Sequence, residues 1–188
     1  MIVVGYQGIG KSTLAGKNHQ YIDLESGNFW VDGKRADDWY KPYCQIAEHL
    51  SQQGYVVFTS SHEVVRNQLA KSSETVVVVH PAPHLKDEWI KKLHDRWQIT
   101  GLDKDYKAYM NALDRYTENI QELKTCDIPY KLEISVIDYD LEALLDYLVE
   151  EAAEPTYEDK TKRLKDYIKT ATYALINDVR REKFGSKG

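Results

Sequence analysis

The chain has 188 residues, 42% of them hydrophobic and 29% charged, with a formal net charge of −5. That length fits one domain with room for an appendage and a core that needs no staples, and the acidic balance excludes a general nucleic-acid coat while leaving room for a local basic groove. Cys44 and Cys126 have neither metal nor redox spacing, no apolar run reaches membrane-spanning length, and Met1 leads into an apolar run without a signal-peptide pattern, so a cytoplasmic protein with reduced thiols is expected.

Ile2–Val4 is wholly apolar and followed by glycine, which suits a buried parallel strand. A short helix is expected over Lys11–Lys17, a second strand over Tyr21–Leu24 and a polar loop over 25–38. The next helix runs from about Lys41 to Gln53, with Pro42 tolerated in its first turn and Gly54 as its stop. Tyr55–Ser60 reads as a strand, Glu63–Lys71 as a helix, and Thr75–His80, closed by Pro81 and Pro83, as the clearest strand of the chain. Lys86–Gln98 carries Trp89, Leu93 and Trp97 at helical spacing and ends before Gly101. A longer helix follows over Asp103–Lys124, then a strand over Lys131–Val136 and a helix over Leu141–Glu150.

Strands alternating with helices predict an α/β fold with a parallel sheet covered on both faces. No internal repeat is present. The segment "EEAAEP" looks like a junction, so residues 1–150 are expected as the main unit and 151–188 as a basic helical extension. From Asp159 onward nine Lys or Arg face four Asp or Glu, and Leu164, Ile168, Ala171, Leu175 and Val179 form a helical stripe. A terminal helix docked on the domain and a contact with a partner or with nucleic acid both remain open for this segment.

The stretch Gly5-Tyr6-Gln7-Gly8-Ile9-Gly10-Lys11-Ser12 fits G-x-x-x-x-G-K-[ST], the phosphate-binding P-loop. Gly5, Gly8 and Gly10 let backbone amides approach phosphate oxygens, and the following helix adds its positive end. Gln7, Ile9 and Thr13 belong to the same binding stretch. Lys11 is expected on the β- and γ-phosphates, and the Ser12 hydroxyl on Mg²⁺. A nucleoside triphosphate, ATP by assumption, is the expected ligand.

With this loop in place, the order of parts over residues 1–150 resembles the small P-loop kinases. These are the adenylate kinase-like and nucleotide kinase-like proteins, among them versions found in bacteriophages and gut bacteria. The resemblance implies a three-layer sandwich around a mostly parallel sheet of about five strands, with a helical lid at about 84–125. In "YIDLESGNFW", Asp23 matches the acidic end of the second strand, as a group beside the phosphate acceptor or on the metal, with Glu25 two residues on. Ser26, Phe29 and Trp30 would line the acceptor pocket, although Phe29 and Trp30 equally suit loop anchoring. In "VVFTSSHEVVRNQL", Arg66 matches the arginine that grips the acceptor's phosphate, while Ser60 and Ser61 are candidates for the γ-phosphate or a magnesium water. Ser61 is also a natural helix cap, and His62 a helix-start histidine. The aspartate that most P-loop NTPases place at the end of this strand is missing, which hands the metal to Asp23. In the lid, Lys92, Arg96 and Arg115 are candidates for the transition-state charge, Arg96 foremost. Trp89 and Trp97 read as core.

The resemblance implies an ATP- and Mg²⁺-dependent kinase acting on a nucleoside, a nucleotide or a similar small acceptor. Two alternatives stand beside it. One is a polynucleotide or modified-base kinase that holds nucleic acid through the basic C-terminal helix. The other is a P-loop nucleotide-binding module with little catalysis.

Overall fold

A computed structural model describes residues 1–30 and 34–145 of the chain. The basic segment 151–188 and the end of the last expected helix, 146–150, lie outside the described residues. Five strands form one all-parallel sheet: β1 (Ile2–Gly5), β2 (Tyr21–Asp23), β3 (Val56–Thr59), β4 (Val76–Pro81) and β5 (Tyr130–Ile134), in the spatial order β2-β3-β1-β4-β5. The three inner strands read IVVG, VVFT and VVVVHP and are buried at every residue, as a sheet covered on both faces requires.

The connecting helices are α1 (Lys11–Ala15), α2 (Tyr40–Gln52), α3 (Glu63–Leu69), α4 (Lys86–Thr100) and α5 (Asp103–Thr125), with α6 described over 141–145. Right-handed crossovers put α1, on the way out to β2, on one face. They put α2, α3 and α5, whose connections run the other way, on the opposite face. Contacts agree: Arg66 on α3 reaches Glu122 on α5, and Leu141 of α6 lies against Gly10 at the start of α1.

The chain leaves β1 toward β2 but leaves its neighbour β4 toward β5. The loops at the carboxyl ends of these two strands therefore part in opposite directions and open a crevice. Register brings Asp23, the last residue of β2, level with Phe58 near the carboxyl end of β3. The glycine loop after β1 and the acidic end of β2 thus face the same crevice.

Several element limits differ from the sequence expectation. α1 stops at Ala15 rather than Lys17: Gly16 N donates to Ser12 O at 2.9 Å, and Lys17 N turns back to Leu14 O at 3.1 Å. β4 runs through Pro81, whose missing N–H is harmless because Ala82 N takes up the pairing with Ile134 O at 2.8 Å. β5 ends at Ile134, and Val136 is exposed. Residues 26–29 of the expected loop form a 3-10 turn. Ser61 does not cap α3: His62 occupies the N-cap position and makes no side-chain cap bond. The long helix α5 is kinked at Arg115, with φ −133° and ψ 20°, which divides it into an outer and an inner half. No helix among the described residues is long and apolar enough to cross a membrane.

Candidate functional site

The glycine loop is rooted in the core at two points. Tyr6 is buried edge-on against Tyr116, ring centres 5.9 Å apart, and Ile9 is buried beneath the loop. Between and beside these anchors the backbone needs glycine. A Cβ on Gly5 would lie 2.5 Å from Ile9 Cδ1 and 2.9 Å from Lys11 Cδ. Gly8 sits at φ 87° with Trp89 and Leu93 of α4 packed against it. Gly10, at φ 96°, opens α1, so the first amides of that helix have no intrahelical acceptor and are available to an anion.

Lys11 folds back over the loop, its Nζ donating to Gly5 O at 2.8 Å. Desolvation pushes its ammonium below the ordinary lysine range, Asp23 and Glu25 pull it back up, and Arg96 pushes it down. An anion bound here would offset that burial and favour the charged ammonium. Ser12 Oγ donates to Asp23 Oδ2 at 2.7 Å. A hydroxyl and a carboxylate side by side are hard oxygen donors that suit Mg²⁺, which needs few protein ligands when phosphate oxygens and waters complete its shell. No cluster of three or more His, Cys, Asp or Glu exists among the described residues, so a site here would be of that two-ligand kind.

A cleft of about 1310 Å³ opens over this loop. Gln7, Gly8, Ile9, Gly10, Lys11, Ser12 and Thr13 form its floor, Asp23 and Glu25 one wall, and Lys92, Arg96 and Lys104 of the α4–α5 hairpin another. The hairpin turns at Gly101, whose φ of 64° gives α4 a left-handed cap and an N–H bond to Trp97 O of 2.8 Å. Inside the turn, Asp105 is buried and accepts from Thr100 Oγ1 at 2.6 Å and from Arg96 Nη2 at 3.0 Å. Arg96 is thus held at the cleft by a fixed carboxylate. Trp97 lies parallel to Tyr109 at 5.9 Å and works as glue between the two helices. Lys104 Nζ reaches across the cleft to Glu25 Oε1 at 3.1 Å.

The expected acceptor-side residues go elsewhere. Arg66 does not line the cleft. Its side chain is only 7% exposed; Nη1 donates to Ser61 O at 2.5 Å and Nη2 to Glu122 Oε2 at 3.0 Å, on a carboxylate that also receives Arg115 Nη2 at 3.4 Å. Arg66 thereby ties α3 to the inner half of α5, Arg115 bridges the kink within α5, and neither lines the cleft. Ser60 N donates to Tyr43 Oη at 2.8 Å, and Ser60 Oγ is buried without a hydrogen-bond partner. Phe29 packs edge-on against Tyr43 at 5.4 Å and so anchors its loop. Ser26 accepts from Arg35 Nη2 through its carbonyl (2.6 Å) and its hydroxyl (3.2 Å). Trp30, 54% exposed, stands beneath the same guanidinium at 5.1 Å, with Trp39 on it at 4.1 Å. None of Ser26, Phe29, Trp30, Ser60 and Ser61 lines the cleft.

Two residues at the site were assigned no binding role from sequence. Tyr139, after β5, lines the cleft, and Trp89 is buried at its base. Helical spacing marks Trp89 as core, yet its indole N–H donates to Gln7 O at 2.9 Å, a partner 82 positions away that no local pattern can reveal. Comparison of the chain with protein-family models, with curated proteins and with solved structures finds no match.

Proposed function

We propose that the chain is an ATP- and Mg²⁺-dependent phosphotransferase built as a P-loop three-layer sandwich, moving a γ-phosphoryl group to a nucleoside, nucleotide or similar small acceptor. The observation that carries this reading is the meeting, in one cleft, of the glycine loop with Lys11, the Ser12–Asp23 pair and Arg96. The loop amides and Lys11 would bind the donor's phosphates, and Arg96 would meet negative charge as it develops on the group in transfer. Ser12 and Asp23 would hold Mg²⁺, which supplies charge neutralisation to bound phosphates when present. Asp23 and Glu25, on the wall beside Lys11, would orient the acceptor hydroxyl or take its proton. Catalysis of this kind is mostly positioning, so the carboxylate held on Arg96 counts as much as its charge.

Incubation with ATP, Mg²⁺ and a mixture of nucleosides and nucleotides, followed by product masses, tests the proposal. A product 80 mass units heavier than one acceptor, as expected for a phosphoryl group at about that mass, and its loss in Lys11→Ala, is the expected outcome. A second reading, a nucleotide-binding module with little catalysis, draws support from Arg66. With the Arg66 guanidinium on Glu122 and Ser61, the cleft has, among the described residues, no second arginine beside Arg96 for an acceptor phosphate. Saturable ATP binding with no phosphorylated product from any acceptor would favour it.

A further inference from the structure

We propose that Trp89 and Tyr139 are positioning residues that hold the two peptide units around Gly8 so that their amides face the donor phosphates. This inference rests on the triphosphate-binding reading above. Trp89 Nε1 donates to Gln7 O at 2.9 Å, and Tyr139 Oη donates to Gly8 O at 3.4 Å. No peptide bond among the described residues is cis. In a trans peptide the carbonyl and the next N–H point in opposite directions. Fixing the Gln7 carbonyl on Trp89 therefore fixes the Gly8 N–H away from it, and fixing the Gly8 carbonyl on Tyr139 does the same for the Ile9 N–H.

Such a device is needed here. Glycine at φ 87° has few steric limits of its own, so the peptides on either side of Gly8 can rotate unless something outside the loop holds them. The two donors come from different elements, α4 and the segment between β5 and α6, and each orients the other. Their rings are parallel to within 9° with centres 6.0 Å apart. Trp89 is fully buried, which fixes its rotamer. Lys92 Nζ sits 4.6 Å from each ring centre and donates to Tyr139 Oη at 3.3 Å. With its oxygen accepting from Lys92, Tyr139 has its own proton left for Gly8 O, and the charged donor polarises that bond. Burial raises the phenol above the ordinary tyrosine range, so it stays a neutral donor. A third restraint acts on the same loop: Gln7 Nε2 donates to Ala108 O of α5 at 2.7 Å. Core packing alone would be served by a phenylalanine at either position; the N–H and O–H are the parts that touch the loop.

The test titrates inorganic tripolyphosphate with Mg²⁺, and separately ATP with Mg²⁺, into the wild-type chain, Tyr139→Phe, Trp89→Phe and Lys11→Ala. Tyr139→Phe removes one oxygen and is expected to leave the melting temperature in place. It should weaken tripolyphosphate and ATP by the same factor, about 2- to 10-fold, the worth of one hydrogen bond. Trp89→Phe should weaken both ligands by at least as much. If both variants bind tripolyphosphate like the wild type, the positioning role is overturned while the triphosphate site stands. A loss for ATP alone also overturns it, and makes Tyr139 a contact of the base. If wild type and Lys11→Ala bind tripolyphosphate equally, or neither binds, the triphosphate reading fails and the positioning role with it.

Discussion

Ser12 Oγ lies 2.7 Å from Asp23 Oδ2 and donates its proton there, so the residue after the loop lysine is hydrogen-bonded to the last residue of β2. Two segments that are separate in sequence meet because β2 ends level with the carboxyl end of its neighbour β3, facing the glycine loop. If the pair holds Mg²⁺, Asp23→Asn should reduce the gain in ATP affinity that Mg²⁺ brings by about tenfold, in line with loss of a charged ligand. Affinity for ATP without Mg²⁺ should hardly change. Calorimetric titrations with and without Mg²⁺ measure this; an undiminished Mg²⁺ effect removes Asp23 from the metal.

Arg66 is expected to act on stability. Replacing it with alanine removes the partner of Glu122 across the α3–α5 contact and the local bond to Ser61 O at the start of α3. Glu122 is 43% exposed and keeps Arg115, so the cost should lie at the lower end of that for a broken buried pair, about 2–3 kcal/mol. Urea unfolding measures it. If stability is unchanged and only the KM of an acceptor rises, Arg66 serves the acceptor after all.

The two left-handed glycines of the loop, Gly8 and Gly10, should respond unequally to alanine. At Gly10 the new Cβ meets only Leu141 Cδ2, at 3.9 Å, leaving the backbone strain of about 1–2 kcal/mol. At Gly8 it would also come within 2.9 Å of Leu93 Cδ2 and 3.1 Å of Trp89 Nε1, so crowding adds about 1–3 kcal/mol. Denaturation curves should rank Gly8→Ala as the more damaging, and the reverse order would contradict the packing of α4 on the loop.

His80 should make the fold sensitive to mild acid. It is 2% exposed, with Nδ1 2.9 Å from Pro81 O. Burial holds its pKa below the ordinary imidazole range, the Pro81 carbonyl and Glu133 work against that shift, and Lys124 and Lys131 add to it. The unfolded chain, with an ordinary value of about 6.5, takes the proton first as pH falls. His80 therefore contributes its stability fully above about pH 6.5, and that stability is lost as pH drops through the lowered folded value. Unfolding free energies at about pH 7.5 and pH 5.5 should differ less in His80→Gln than in the wild type; equal differences would rule His80 out.

The ion pair Lys104–Glu25 spans the cleft, yet both partners are largely exposed, 60% and 49%. Lys104→Ala should cost less than about 1 kcal/mol. Asp105→Ala, by contrast, removes a buried carboxylate that holds Arg96 and Thr100, and should cost about 3 kcal/mol. A comparison of the two melting temperatures separates a surface contact from the staple of the hairpin.

What could be read in advance follows from how local each cause is. Val76–Val79 had to be a buried strand because four adjacent valines leave no polar face. Gly5–Ser12 announced itself because positive φ, an ammonium and a hydroxyl are all needed within a few residues. Arg66 was legible as a helical arginine near a strand end, but its direction depends on Glu122, 56 positions away. The kink at Arg115 has neither proline nor glycine to mark it. Trp89 showed its apolar spacing and hid its N–H, because helical periodicity reports which face is buried and says nothing of which carbonyl waits there.

Titration of ATP with Mg²⁺ into the wild-type chain and into Lys11→Ala, followed by calorimetry, tests the phosphate-binding role of the glycine loop most directly. Saturable heat in the wild type and at least about a tenfold weaker affinity in a folded Lys11→Ala is the expected result. No heat in the wild type, or equal affinity in the two, would contradict it.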